Sequence, residues 1–99
     1  MRCALREAGP RFDQASDDEI AVFVQSVQGA LRRLDSLLGP VAYNVVIETA
    51  PREPAAPFHW WADIVPRVTV PAGFELGTGV WVNIVPPADA AAALRDAQP

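Results

Sequence analysis

An apolar stripe at helical spacing, running unbroken from Ile20 to Leu38, constrains this chain more than any other feature. Ile20, Phe23, Val24, Val27, Leu31, Leu34 and Leu38 recur every three or four residues, which puts them on one face of a helix of about six turns. Ser16 and Glu19 have the spacing of a capping box, in which hydroxyl and carboxylate each satisfy a free backbone amide at a helix start. Asp17 and Asp18 suit the positive end of the same helix, and Gly39-Pro40 stops it. Gln25, Gln28, Arg32, Arg33 and Asp35 occupy the opposite, solvated face. So long an apolar face must be buried against a second layer, and the remaining residues have to supply it.

That layer reads as a small sheet. Residues 41–49 are rich in β-branched types and alternate, with Tyr43, Val45 and Ile47 on one side and Asn44, Val46 and Glu48 on the other. Residues 50–57 contain three prolines and form a loop, because proline lacks the amide that a central strand requires. A second strand is expected over residues 58–65. Phe58, Trp60, Ala62 and Ile64 point one way along it, and His59, Trp61, Asp63 and Val65 the other. Pro66 breaks the ladder, and residues 67–70 offer a continuation. A third strand is expected over residues 80–85, between Gly79 and Pro86-Pro87, and a closing helix over the alanine-rich residues 88–97. Residues 1–15, interrupted by Gly9-Pro10, read as an irregular lead-in. The expected fold is α+β, in the order helix, strand, strand, strand, helix, with the long helix laid on a small antiparallel sheet.

Composition narrows the function classes. A formal net charge of −4 and the lack of any basic stripe argue against a nucleic-acid partner. All eight basic residues are arginine, which rules out lysine nucleophiles and leaves planar phosphate and carboxylate binders. One cysteine, Cys3, and one histidine, His59, cannot by themselves furnish a soft-ligand metal site. No apolar run is long enough for a membrane span, and the first residues lack the apolar centre of a signal peptide, so a cytoplasmic location is expected. A Ser-His-Asp set has no nucleophile elbow to build on, and Ser16, Ser26 and Ser36 all belong to the first helix or its cap.

The run Phe58-His59-Trp60-Trp61-Ala62-Asp63, the loop Ala72-Gly73-Phe74-Glu75-Leu76-Gly77-Thr78-Gly79, the strand Tyr43-Asn44-Val45-Val46-Ile47, and Asn83 with Pro86-Pro87 share one order with a known family. Together they resemble the C-terminal half of the galactose-1-phosphate uridylyltransferase family, in the histidine-triad superfamily. The Leu-Gly-Thr-Gly run draws the loop toward the ADP-glucose phosphorylase-like branch. The resemblance covers about residues 12 to 97 and implies a partial histidine-triad-like C-terminal transferase domain over residues 16–99. It implies transfer of a nucleotidyl group between a sugar phosphate and a nucleotide sugar through a histidine intermediate. The nucleophilic His-Pro-His motif of the family is not in this sequence, so no catalytic residue is assigned. The implied partners are an N-terminal catalytic half or a homo-oligomer, with a sugar phosphate or nucleotide sugar as ligand. A truncated, non-catalytic remnant or a protein-interaction domain stands as the alternative.

The resemblance marks Ala72, Gly73, Phe74 and Glu75 as the sugar-contacting loop. A carboxylate accepts paired hydrogen bonds from vicinal hydroxyls, and glycine lets the backbone approach a ligand closely. A glycine-punctuated turn with Glu75 in solvent is the other reading. His59, Asp63 and Arg67 are supporting residues. His59 matches the first histidine of the family's metal-binding pair, but Trp61 replaces the second, so neither a metal nor another cofactor is expected, and a neutral imidazole fits His59 as well. Arg67 could reach a phosphate or brace the loop carboxylate. Trp60 and Trp61 face opposite ways, so one belongs to the core while the other either packs locally or covers a partner-facing surface. Glu48 and Asp63 are carboxylates on neighbouring strands that an arginine ion pair would account for.

Overall fold

In a computed structural model that describes residues 1–98, the long stripe forms helix α1 (Asp17–Leu38). Its capping box is made in both directions: the Ser16 amide donates to Glu19 Oε2 at 2.7 Å, and the Glu19 amide donates to Ser16 Oγ at 3.2 Å. Gly39 ends the helix at φ 70°, in the left-handed region that glycine enters without a Cβ clash.

Three strands form one antiparallel sheet in the order β1-β3-β2. They are β1 (Arg2–Cys3), β2 (Tyr43–Glu48) and β3 (Trp61–Pro66). The α+β class and the small antiparallel sheet agree with the sequence reading, but the third strand comes from the other end of the chain. Residues 80–85 form no strand. The lead-in supplies β1 instead, pairing Arg2 with Asp63 and Cys3 with Ala62. Backbone hydrogen bonds between Met1 and Ile64 extend that ladder. The lead-in also holds a 3₁₀ turn (Phe12–Gln14), and residues 67–70 do not continue β3. The observed order is therefore strand, α1, β2, β3, then two further helices, α2 (Gly73–Thr78) and α3 (Pro87–Asp96).

Alternation along β3 decides where the core lies. Trp60, Ala62 and Ile64 are fully buried, whereas Trp61 and Asp63 are half-buried and Val65 is exposed. Trp60 meets Phe12 and Phe23 edge-on, with ring centroids 5.1 and 4.9 Å away. Cys3, paired opposite Ala62, packs against the same cluster. The segment leading to the 3₁₀ turn closes one end: the Ala50 amide donates to Pro10 O at 2.9 Å, and the Phe12 amide to Thr49 Oγ1 at 2.9 Å. Helix α3 packs on α1, where Arg33 Nη1 donates to the carbonyls of Leu94, Arg95 and Ala97 at 3.0 to 3.1 Å. These are carbonyls that a helix C-terminus leaves without internal partners, so Arg33 caps α3 from outside. Among the described residues no helix is long and apolar enough to cross a membrane.

Candidate functional site

The sheet has one face against α1 and, among the described residues, one face without a layer. Direct cross-strand pairs share a face, so Arg2, Asp63, Val46, Trp61, Glu48, Val65 and Asn44 all belong to the uncovered side. Asp63 is its electrostatic centre. Arg2 grips it through two parallel bonds, Nε to Oδ1 at 2.9 Å and Nη2 to Oδ2 at 3.0 Å. The Trp61 indole adds Nε1 to Oδ2 at 3.1 Å. The Arg2 bonds, more than any other influence, hold the Asp63 carboxyl below its usual range; partial desolvation opposes them and the Trp61 bond reinforces them. The Arg2 guanidinium lies 4.4 Å from the Trp61 ring centroid, and Phe58 stacks on that ring at 5.1 Å with planes 19° apart.

Trp61 thus packs between Phe58 and Arg2 on the uncovered face. The same contacts identify the arginine beside Asp63. It is Arg2, which sequence reasoning did not assign, and the only route to it is the strand register, because nothing local in Met1-Arg2-Cys3 points sixty residues ahead. The Arg67 amide donates to Ala42 O at 2.7 Å, while its side chain makes no hydrogen bond or ion pair among the described residues. The expected brace between Arg67 and Glu75 is therefore not formed. His59 is half-buried and precedes β3, and its imidazole has no hydrogen bond among the described residues.

The donor set does not suit a metal. Indole offers no lone pair, Asp63 is engaged by Arg2 and Trp61, and among the described residues no three His, Cys, Asp or Glu side chains converge.

The loop residues lie on a separate element. Ala72 is the N-cap of α2, and Gly73, Phe74 and Glu75 make its first turn, so the expected loop is helical from Gly73 onward. Glu75 Oε2 accepts from the Ala72 amide at 2.9 Å, half of a capping box that alanine, lacking a side-chain oxygen, cannot complete. Gly79 closes α2 at φ 70°. Phe74 stands 59% exposed beside the half-buried Glu75. Ala72, Gly73, Phe74 and Glu75 are thus brought together, with one Glu75 oxygen occupied and an aromatic face open to solvent. Neither the loop residues nor His59, Asp63 and Arg67 are linked to the other set by a hydrogen bond or ion pair among the described residues.

The fold recurs in solved proteins. A GalT-like protein from Arabidopsis thaliana superimposes with a TM-score of 0.84 at 28% identity, over 98% of this chain and 34% of that one. The chain is a partial match to the GalT-like branch of the histidine-triad superfamily. An ADP-glucose phosphorylase from Arabidopsis thaliana, crystallised with bound ADP-glucose, superimposes with a TM-score of 0.83 at 26% identity, covering 98% of this chain and 32% of that one. In sequence, an ADP-glucose phosphorylase from Arabidopsis thaliana is 37% identical over 70 residues, which is 67% of this chain and 20% of the relative. This GalT-like chain therefore spans about a fifth of the curated relative's length and about a third of each solved chain. No family model matches it.

Proposed function

We propose that this GalT-like chain is the C-terminal portion of a sugar-phosphate nucleotidyltransferase acting in the cytoplasm. It contributes a sugar-contacting loop, and an N-terminal catalytic half supplies the nucleophilic histidine. The observation that carries the reading is the first turn of α2. Ala72, Gly73, Phe74 and Glu75 keep the order seen in the family, Glu75 has one carboxylate oxygen free of the cap, and Phe74 offers an exposed apolar face beside it. A hexose presents the complement, hydroxyls at its edge and C–H groups on its face. Similarity to an ADP-glucose phosphorylase supports a nucleotide sugar or sugar phosphate as ligand.

The test is a calorimetric titration of glucose 1-phosphate, ADP-glucose and UDP-glucose into the chain, with and without a histidine-triad half carrying a His-Pro-His motif. Binding that requires the second half and weakens about tenfold or more with Glu75→Ala is the expected result, the loss of one charge-assisted hydrogen bond. Unchanged affinity in the Glu75→Ala complex would remove the loop from the site. A second reading, a non-catalytic remnant or interaction domain, is favoured by Trp61, whose ring is held between Phe58 and Arg2 at the position of a family histidine. Absence of binding with either preparation, from folded protein, would select it.

A further inference from the structure

The resemblance implies a metal beside His59, and the residues present do not fit one. A structural ion ties together segments distant in sequence, and its binding free energy becomes folding free energy. Strand β1 is the segment here that needs a tie. It is two residues long, too short a ladder to hold by backbone bonds alone. Yet it completes the sheet and begins the lead-in that covers the core: Cys3, Leu5, Ala8 and Phe12 all pack against the cluster of Phe23, Trp60 and Ala62. Release of β1 would open both the edge of β3 and that cluster.

The side chains that could have ligated a metal are engaged or placed elsewhere. Cys3 pairs with Ala62 and so belongs to the core-facing side of the sheet, away from the row that holds Trp61 and Asp63. Both Asp63 oxygens accept from Arg2, and Oδ2 accepts from Trp61 as well. Trp61 uses its Nε1 proton in that bond, and its ring stacks with Phe58. His59 remains as a single imidazole, and a structural site needs several such donors.

These residues nevertheless converge on a cation, the guanidinium of Arg2. Asp63 holds it through two parallel bonds of 2.9 and 3.0 Å, and the Trp61 ring centroid lies 4.4 Å from it. Glu48, across from Trp61 in the register, adds a second negative charge to its surroundings. The fork that matches a carboxylate and the flat face that rests on an indole belong to arginine and not to lysine.

We propose that the Arg2 guanidinium, gripped by Asp63 and resting on Trp61, takes the place of the metal ion that the resemblance implies, so that this chain fastens β1 to β3 without a metal. Because the cation is covalently part of β1, it bridges the two strands as a bound ion would. The proposal holds whether the chain is a transferase portion or a remnant, since its test measures strand attachment and needs no sugar ligand.

The chain, dialysed against a chelator and then given zinc chloride in slight excess, should keep the same thermal midpoint and retain no stoichiometric zinc on elemental analysis. Hydrogen exchange reads the tie directly, because the Ile64 amide donates to Met1 O at 2.7 Å. Arg2→Met should speed exchange at Ile64 about tenfold or more, leave the amides of residues 24–32 in α1 unchanged, and show no recovery with zinc. Arg2→Lys keeps the charge but loses the fork and the flat face, so it should resemble Arg2→Met and not the parent. A midpoint that rises with zinc, or zinc retained in stoichiometric amount, overturns the proposal, as does parental exchange at Ile64 in Arg2→Met. Parental exchange in Arg2→Lys would reduce the tie to simple charge pairing and would overturn it equally.

Discussion

Trp60 offers the sharpest test of how this fold is held together, because two large effects oppose each other there. The side chain is fully buried, and its indole nitrogen has no hydrogen-bond partner among the described residues. Phe12 and Phe23 meet it edge-on, with interplanar angles of 75° and 72°. Trp60→Ala empties the centre of this cluster and should cost about 3–5 kcal/mol. Against a total of about 5–15 kcal/mol for a chain of this length, that is a large share. Trp60→Phe leaves a cavity of about 40 Å³, worth about 1 kcal/mol at ~24 cal/mol per Å³. It also removes a buried, unpaired N–H, whose desolvation costs about 1–3 kcal/mol in the native state. The second term is equal to or larger than the first, so Trp60→Phe should lie between the parent's stability and about 2 kcal/mol above it. Urea unfolding followed by circular dichroism separates the cases: with a slope of about 1–2 kcal/mol per molar, the alanine variant should lose roughly two molar or more in midpoint. If Trp60→Phe were as damaging as Trp60→Ala, the indole nitrogen would have a partner such as a buried water, and the reasoning would fail.

Two further outcomes follow from side chains that bridge distant parts of the chain. Arg33→Leu strips the cap from three carbonyls at the end of α3 and should cost about 1–2 kcal/mol, with faster exchange of amides in residues 94–97; unchanged protection there would contradict the cap. Asp63 has its carboxyl held below the ordinary range chiefly by the Arg2 hydrogen bonds, so its contribution is complete above the unfolded value near about pH 4 and is lost as pH falls through the lower folded value. Asp63→Asn should therefore be less stable at neutral pH and show a shallower loss below about pH 4, with Asp13, held down by Arg11, leaving a residual slope. Equal acid sensitivity in both proteins, read as urea midpoint against pH, would show that the Arg2 pair contributes nothing.

What local chemistry encodes was legible from the residues alone. The capping box at Ser16 and Glu19 and the stop at Gly39 depend on spacings of a few residues and are present as expected, and of the expected inward row Trp60, Ala62 and Ile64 are fully buried while Phe58 is half-buried and stacks on Trp61. The motifs that resemble the GalT-like branch were legible for the same reason, and the solved relatives carry the fold. Which segment pairs on the far side of β3 was not legible. Residues 80–85 have the composition of a strand, yet a strand exists only where another backbone supplies its ladder, and within the described chain none does. Arg2 and Cys3, too few to show any alternation, take the vacant side of β3 instead, and that register places Arg2 across from Asp63, sixty-one positions along the chain. Glu75 was readable as an acid beside glycine, whereas its partner, the Ala72 amide, emerged only once residues 73–78 coiled into a helix. The sequence by itself determined α1 with its capping box and glycine stop, and α3, because those follow from contacts between near neighbours. Tertiary structure alone decided which segment completes the sheet, which arginine holds Asp63, and which apolar residues remain uncovered, because backbone hydrogen bonds carry no side-chain code and their partners are chosen by the fold as a whole.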